Sequence, residues 1–418
     1  MKRFLLLFIL IVLQAPTLWA QQASEPTFYT NPEAALQVYH NALTRLRQEY
    51  PNHRDLPKLN FFLFGMGQRA KYIYRQGRLI DAFSGHIEEQ WTVESELIVP
   101  SEYLVQLKLA NGTYIQIRED ESGVWILQAP SGSAQKAVRN TKPRRIANTK
   151  SVVNLPRFSD NTYGPILRVL HHETLINLVN GRDEITRPLP NLFVYQKPRY
   201  RDAAMMAMVL RETDNLALLR PWIMSLRDPF DRYSGVAEAD NIGQVLFLVS
   251  LVSDQTHPVV QVALDSVNRF KRTNYIVGQT DNAEHPVYQT KWLKYGLKSL
   301  RLSDPYLVPG QYDSYSTLFW CDYTDKYIPG EKIDQTVNVN HPYLSWAEDH
   351  FYDRTGTAQK RGILGTSSYP LSWEEKASYA HYPGLTVLDK DLIRKKLAFP
   401  HGWHAAELFL RLNANPRK

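Results

Sequence analysis

The chain has 418 residues, 44% apolar and 12% aromatic, enough for the core of one large or two medium domains. A formal charge of +7 without any Lys/Arg run interleaved with aromatics excludes nucleic acid as the expected partner and is compatible with an anionic substrate. The single cysteine, Cys321, excludes an internal disulfide and a Cys/His zinc site.

Residues 1–20 read as a signal peptide. Lys2 and Arg3 precede the apolar run Phe4–Leu13, and Leu18–Trp19–Ala20 forms the cleavage site. The run is too short for the ~20 residues that a bilayer-spanning helix needs, so a membrane anchor is the lesser reading. The mature chain is therefore expected in the periplasm or secreted, with no membrane insertion after cleavage.

Residues 21–150 predict a β-rich domain with one leading helix. Asn31–Pro32–Glu33 supplies an Asn cap and a proline at the first helical position, and Ala35, Val38, Tyr39, Leu43, Leu46 and Tyr50 follow with a helical period. Strand-like runs then appear at 59–64, 71–74, 104–109, 114–117 and 124–127. Asn111–Gly112 and Glu121–Ser122–Gly123 mark turns of an antiparallel sheet. The stretch 130–150, rich in Ser, Gly, Lys and Arg, reads as a basic linker.

From residue 151 to 418 helical periodicity dominates, with helices expected near 164–180, 199–213, 215–226, 241–253, 258–270, 286–300, 342–352, 389–397 and 401–412. Short joins such as Thr213–Asp214–Asn215 predict consecutive helical hairpins, the building unit of an α/α toroid. The fold class is therefore α+β, mainly α: an antiparallel β-rich domain ahead of a toroid.

Chemistry-bearing residues gather where loops enter helices. Arg199, Tyr200, Arg201 and Asp202 open one helix, where Asp202 also suits a capping role. Glu238 and Asp240 precede another, with Asp240 or Asn241 free to cap it. Glu284 beside His285 forms a possible acid–base pair. Tyr315, Trp346, Glu348 and Trp373 occupy later loops, and Trp403, His404 and Glu407 lie in the last helix. Junctions of this kind cluster where helix ends converge on a cleft.

At Arg199–Asp202, Glu238–Asn241 and His401–Glu407 the chain resembles the six-hairpin (α/α)6 glycosidase superfamily, and secreted glycan-utilisation proteins of Bacteroidota. The likeness covers about residues 155–418, short for six full hairpins, and the W-x-R-G-x-x-W pattern of unsaturated glucuronyl hydrolases is not found. It implies a carbohydrate-active enzyme with a sugar cleft at one end of the toroid. A glycoside hydrolase would use two carboxyl groups. Glu238 and Glu348 are the first candidates, with Asp202 and Glu284 in reserve. Arg199, Arg201 and His285 would hold a uronate carboxylate, with Tyr200, Asp240, Tyr315 and His404 also lining the cleft. Trp292, Trp346, Trp373 and Trp403 would stack on sugar faces. The expected partner is an oligosaccharide or polysaccharide, with no cofactor and no metal site. A polysaccharide lyase on the same fold and a non-catalytic glycan-binding protein are the alternatives.

Overall fold

The computed structural model describes residues 26–49, 61–129, 143–148, 153–195, 197–280, 283–309 and 401–414. Helix α1 spans Pro32–Glu49, and the Asn31 side chain accepts the Ala34 N–H at 3.2 Å, the expected cap. Tyr39, Leu43 and Leu46 face inward, whereas Val38 is exposed.

Two antiparallel sheets follow. The first runs in order β1 (Phe61–Phe64), β2 (Tyr72–Arg75), β3 (Arg78–Asp81) and β4 (Ile87–Gln90). The second runs in order β5 (Val93–Val99), β6 (Leu104–Leu109), β7 (Tyr114–Asp120), β8 (Gly123–Ala129) and β9 (Arg144–Asn148). The five predicted runs correspond to β1, β2, β6, β7 and β8. Asn111–Gly112 joins β6 to β7, with Gly112 at φ +80° and its N–H donating to the Leu109 carbonyl. The basic stretch is not linker throughout, because Arg144–Asn148 pairs with β8 as β9. Its few apolar residues hid a strand whose order comes from edge pairing.

The helical half contains α2 (Gly164–Ile176), α3 (Tyr200–Glu212), α4 (Arg220–Ser225), α5 (Asp240–Ser250), α6 (Pro258–Val267), α7 (Pro286–Ser299) and α8 (Gly402–Asn413). Two short hairpins also occur: β10 (Leu178–Asn180) with β11 (Thr186–Pro188), and β12 (Gln279–Thr280) with β13 (Ala283–Glu284). The helix expected over 215–226 is broken into a 3-10 turn at Leu216–Leu218 and α4. Pro221 near the start of α4 has no N–H to give to an upstream carbonyl, so a continuous helix cannot run through it. The helices expected over 342–352 and 389–397 lie outside the described residues.

One apolar core runs from α1 and the sheets through α2 into α3, α5, α7 and α8. Helices α5 and α7 cross backbone to backbone: a Cβ on Gly243 would sit 2.1 Å from the Trp292 carbonyl carbon. Helix α8 packs against both α2 and α3, and the Asn161 amide donates to the Leu412 carbonyl across 251 residues of sequence. The architecture is α+β, β-rich toward the N-terminus.

Where the sheets meet α2, buried polar groups are tied to the main chain. Glu119 on β7 accepts the Gly65 N–H at 3.0 Å and the Met66 N–H at 2.6 Å. Lys71 donates to the Gly65 carbonyl and, at 2.8 Å, to the Leu178 carbonyl. His172, stacked between Phe62 and Tyr103, has Nε2 3.0 Å from the Leu63 carbonyl, and Arg168 donates to the Ser101 carbonyl. Burial pushes the Lys71 ammonium down and the Glu119 carboxyl up, each to about 7. Burial likewise drives His171 and His172 down to about 3, keeping both neutral.

Candidate functional site at the starts of three helices

Helices α3, α5 and α8 begin beside one another, and none has its start capped by its own side chain. The first N–H of α3, on Tyr200, donates instead to Asp231 Oδ2 at 2.7 Å. Asp231 also accepts the Tyr233 N–H at 2.9 Å, and its own N–H goes to the Asn241 side chain. The loop 228–241 is thereby fastened to both α3 and α5, and burial raises the Asp231 carboxyl.

Glu238 sits at the centre, 2% exposed. Its Oε2 lies 3.9 Å from an Arg199 Nη and 4.0 Å from an Arg201 Nη, while Oε1 accepts the Ser234 hydroxyl at 3.2 Å. Asp202 Oδ1 is 3.8 Å from His401 Nε2. Burial and the neighbouring Arg201 charge lower His401 to about 3, so at neutral pH this contact is with an uncharged imidazole. The rim is aromatic and half-buried. Arg199 lies over the Tyr233 ring, Tyr195 touches Tyr233 and His401, and His404 stands 4.7 Å from His401 between ring centres.

Five of the predicted residues, Arg199, Arg201, Asp202, Glu238 and His404, thus gather around these helix starts. Asp240 lies below them, fully buried, accepting the Thr280 hydroxyl at 2.7 Å and the Gln244 amide at 2.8 Å. It props the site from beneath, and its carboxyl is raised by burial. Tyr200 points away, with its hydroxyl donated to the Asp228 carbonyl and its ring against Trp222. Glu284 is exposed on β13, and His285 is buried at the start of α7. Trp403 is 8% exposed. Trp292 is sealed in the core against Phe247 and Tyr295, so the expectation that it stacks on sugars is corrected. Tyr315, Trp346, Glu348 and Trp373 lie outside the described residues.

Reasoning from sequence passed over Asp231, Tyr195, Tyr233, Thr280 and Gln244. Asp231 and Tyr233 lie only a few residues from Glu238, and that proximity was the available signal. Glu407, on the inner face of α8, has its carboxyl pushed up to about 8 by burial, against an opposing hydrogen bond from Trp403. Among the described residues no group of three or more His, Cys, Asp or Glu could hold a metal ion, and no helix is long and apolar enough to cross a membrane.

Two surface clefts share no residue with this cluster. One of about 530 Å³ lies between α1 and the start of α2, where Glu102 pairs with Arg157 at 3.4 Å and with Arg168 at 3.8 Å. The other, about 640 Å³, opens beside the β10–β11 hairpin. The chain matches no protein family, no curated protein and no solved structure.

Proposed function

We propose that the chain is a carbohydrate-active enzyme working outside the cytoplasm, a glycoside hydrolase whose reaction takes place where α3, α5 and α8 begin. The observation that carries this reading is a buried carboxylate, Glu238, facing two guanidinium groups, with a second carboxyl, Asp202, at the adjoining helix start. Two nearby positive charges favour the ionised form of Glu238, which suits a base or nucleophile. Asp202 supplies the other carboxyl. Its neighbour His401 is an uncharged imidazole at neutral pH, and in this reading Asp202 gives the proton to the departing oxygen. The half-buried rings of Tyr195 and Tyr233 would meet the apolar face of a sugar. Arg199 and Arg201 fit a uronate carboxylate as an additional anchor.

The same reading takes the helical half as part of an (α/α) toroid. The return of α8 to a position beside α2 and α3 supports it.

The test is incubation of the purified protein with neutral and uronate-containing glycans, following new reducing ends and ultraviolet absorbance together. Reducing ends without absorbance, lost about 10³-fold in Glu238→Gln and in Asp202→Asn, are expected. An absorbing, unsaturated product would replace hydrolysis with lyase chemistry at the arginine pair. Full turnover in both variants, or no product with any glycan, would sink the proposal.

A further inference from the structure

The cleft between α1 and the start of α2 carries positive charge that its own lining does not balance. Arg45, Arg157 and Arg168 line it against a single carboxylate, Glu102, so the wall has two more cations than anions. Glu102 is shared, lying 3.4 Å from an Arg157 Nη and 3.8 Å from an Arg168 Nη. Arg168 is held by the fold: it donates to the Ser101 carbonyl and lies over the Tyr103 ring. The other two guanidinium groups open to solvent. The Arg157 side chain is 66% exposed, and the exposed Arg45 has no ion pair or hydrogen bond among the described residues. Two accessible cations on the wall of one cleft attract an anion to it.

The remaining lining says what kind of anion. The hydroxyls of Ser159 and Thr162 face the same space of about 530 Å³ and make no hydrogen bond among the described residues. Asn41, also exposed, accepts from Gln37 at 2.9 Å through its oxygen and keeps its N–H donors for another partner. Between these polar groups runs an apolar strip: Val38, 57% exposed on α1, and the half-buried Ala35 and Pro165. The floor is pre-formed. The Asn161 N–H donates to the Phe158 carbonyl, the Gly164 N–H to the Asn161 carbonyl, and the Asn161 amide to Leu412. With Gly164 so engaged and Pro165 lacking an N–H, the start of α2 offers no cradle of its own, and a ligand is held by side chains.

Three chemistries therefore meet in one cleft of small-ligand size. A bare inorganic anion would leave Val38 and Pro165 wet, a fatty acid would leave the hydroxyls and the amide unmet, and a neutral sugar would gain nothing from the arginines. An acidic sugar presents a carboxylate, hydroxyls and an apolar ring face together. We propose that this cleft is a second binding site, taking a uronate-containing oligosaccharide. Its carboxylate would lie on Arg45 and Arg157, its hydroxyls on Asn41, Ser159 and Thr162, and a ring face on Val38. The site stands on its own lining and does not depend on hydrolysis at the helix starts.

The experiment is isothermal titration of the full chain with tetragalacturonate, tetramannuronate and a hyaluronan tetrasaccharide, with cellotetraose and inorganic phosphate as controls. Wild type, Arg45→Ala, the double variant Arg45→Ala/Arg157→Ala and Arg199→Ala are compared, with a melting curve for each. Saturable binding of at least one acidic tetrasaccharide is expected in wild type and in Arg199→Ala, tighter than that of either control and weakened by salt. It should weaken about threefold in Arg45→Ala, without a change in melting temperature, and about tenfold or more in the double variant. Absence of binding by every acidic sugar, equal binding of cellotetraose or phosphate, or undiminished binding in the double variant would overturn the proposal. Loss of binding only in Arg199→Ala would also overturn it, assigning the uronate to the helix starts. Binding that responds to Arg45→Ala in a protein that cleaves no glycan would uphold this site while the hydrolase reading falls.

Discussion

Two buried polar clusters lie in this molecule, and they are wired differently. Around Lys71, Glu119, His172 and Arg168, nearly every charged or polar group reaches a main-chain N–H or carbonyl at hydrogen-bond distance. Around Glu238 and Asp202 side chain meets side chain, carboxylate to guanidinium at 3.9 and 4.0 Å and carboxylate to neutral imidazole at 3.8 Å, and the start of α3 is capped by a third party, Asp231. The first arrangement joins sheets to helix and is saturated. The second joins helix starts through contacts between side chains rather than through the main chain.

The comparison breaks most readily at Lys71. Lys71→Met leaves two carbonyls and the Glu119 charge without their partner, and should cost about 3–5 kcal/mol in chemical denaturation. Glu238→Gln should cost only about 1–2 kcal/mol while removing turnover. Equal destabilisation by the two would erase the distinction.

Acid sensitivity comes next. His171 and His172 titrate near 6.5 when unfolded but only at about 3 when folded. Between those values the unfolded chain binds protons that the folded chain refuses. Stability should therefore fall as pH drops below 6.5, by about 1.4 kcal/mol per pH unit for each histidine. Thermal melts from pH 7 to 4 measure the slope, and His172→Gln should make it shallower.

Glu407 acts in the opposite direction. Its folded carboxyl holds its proton up to about 8, while the unfolded one releases it near 4.5, so stability is lost as pH rises through that window. Glu407→Gln should melt like wild type at pH 4 and be more stable at pH 8, by up to about 4 kcal/mol. The smallest effect is expected at the exposed Arg187–Asp183 pair, 2.5 Å long on the β10–β11 hairpin. Arg187→Ala should shift stability by less than about 0.5 kcal/mol.

How much of this was legible depended on the kind of signal each residue leaves. The small, apolar run after Asp202 announced α3, and Asn31–Pro32 announced α1, because period and cap are local. Strand β5 was missed because Glu94, Ser95 and Glu96 dilute its apolar residues, and β3 and β4 because their neighbours supply the order. The meeting of Arg199, Arg201, Asp202 and Glu238 was anticipated, since charged residues at helix entries converge when helices align. The burial of Lys71 and Glu119 left no trace in sequence: each sits in an ordinary strand region and is enclosed only by distant elements.

The wedging of α8 between α2 and α3 has a consequence for how the chain becomes stable. Until the segment near Leu412 is made and delivered, the apolar sides of α2 and α3 that receive it stay wet, and Asn161 lacks its acceptor. Closing a contact over 251 residues is slow, because a long stretch of chain must be ordered before the packing rewards it. A nascent chain lacking this helix exposes apolar surface on α2 and α3, and trimming the helix should convert a folding protein into an aggregating one.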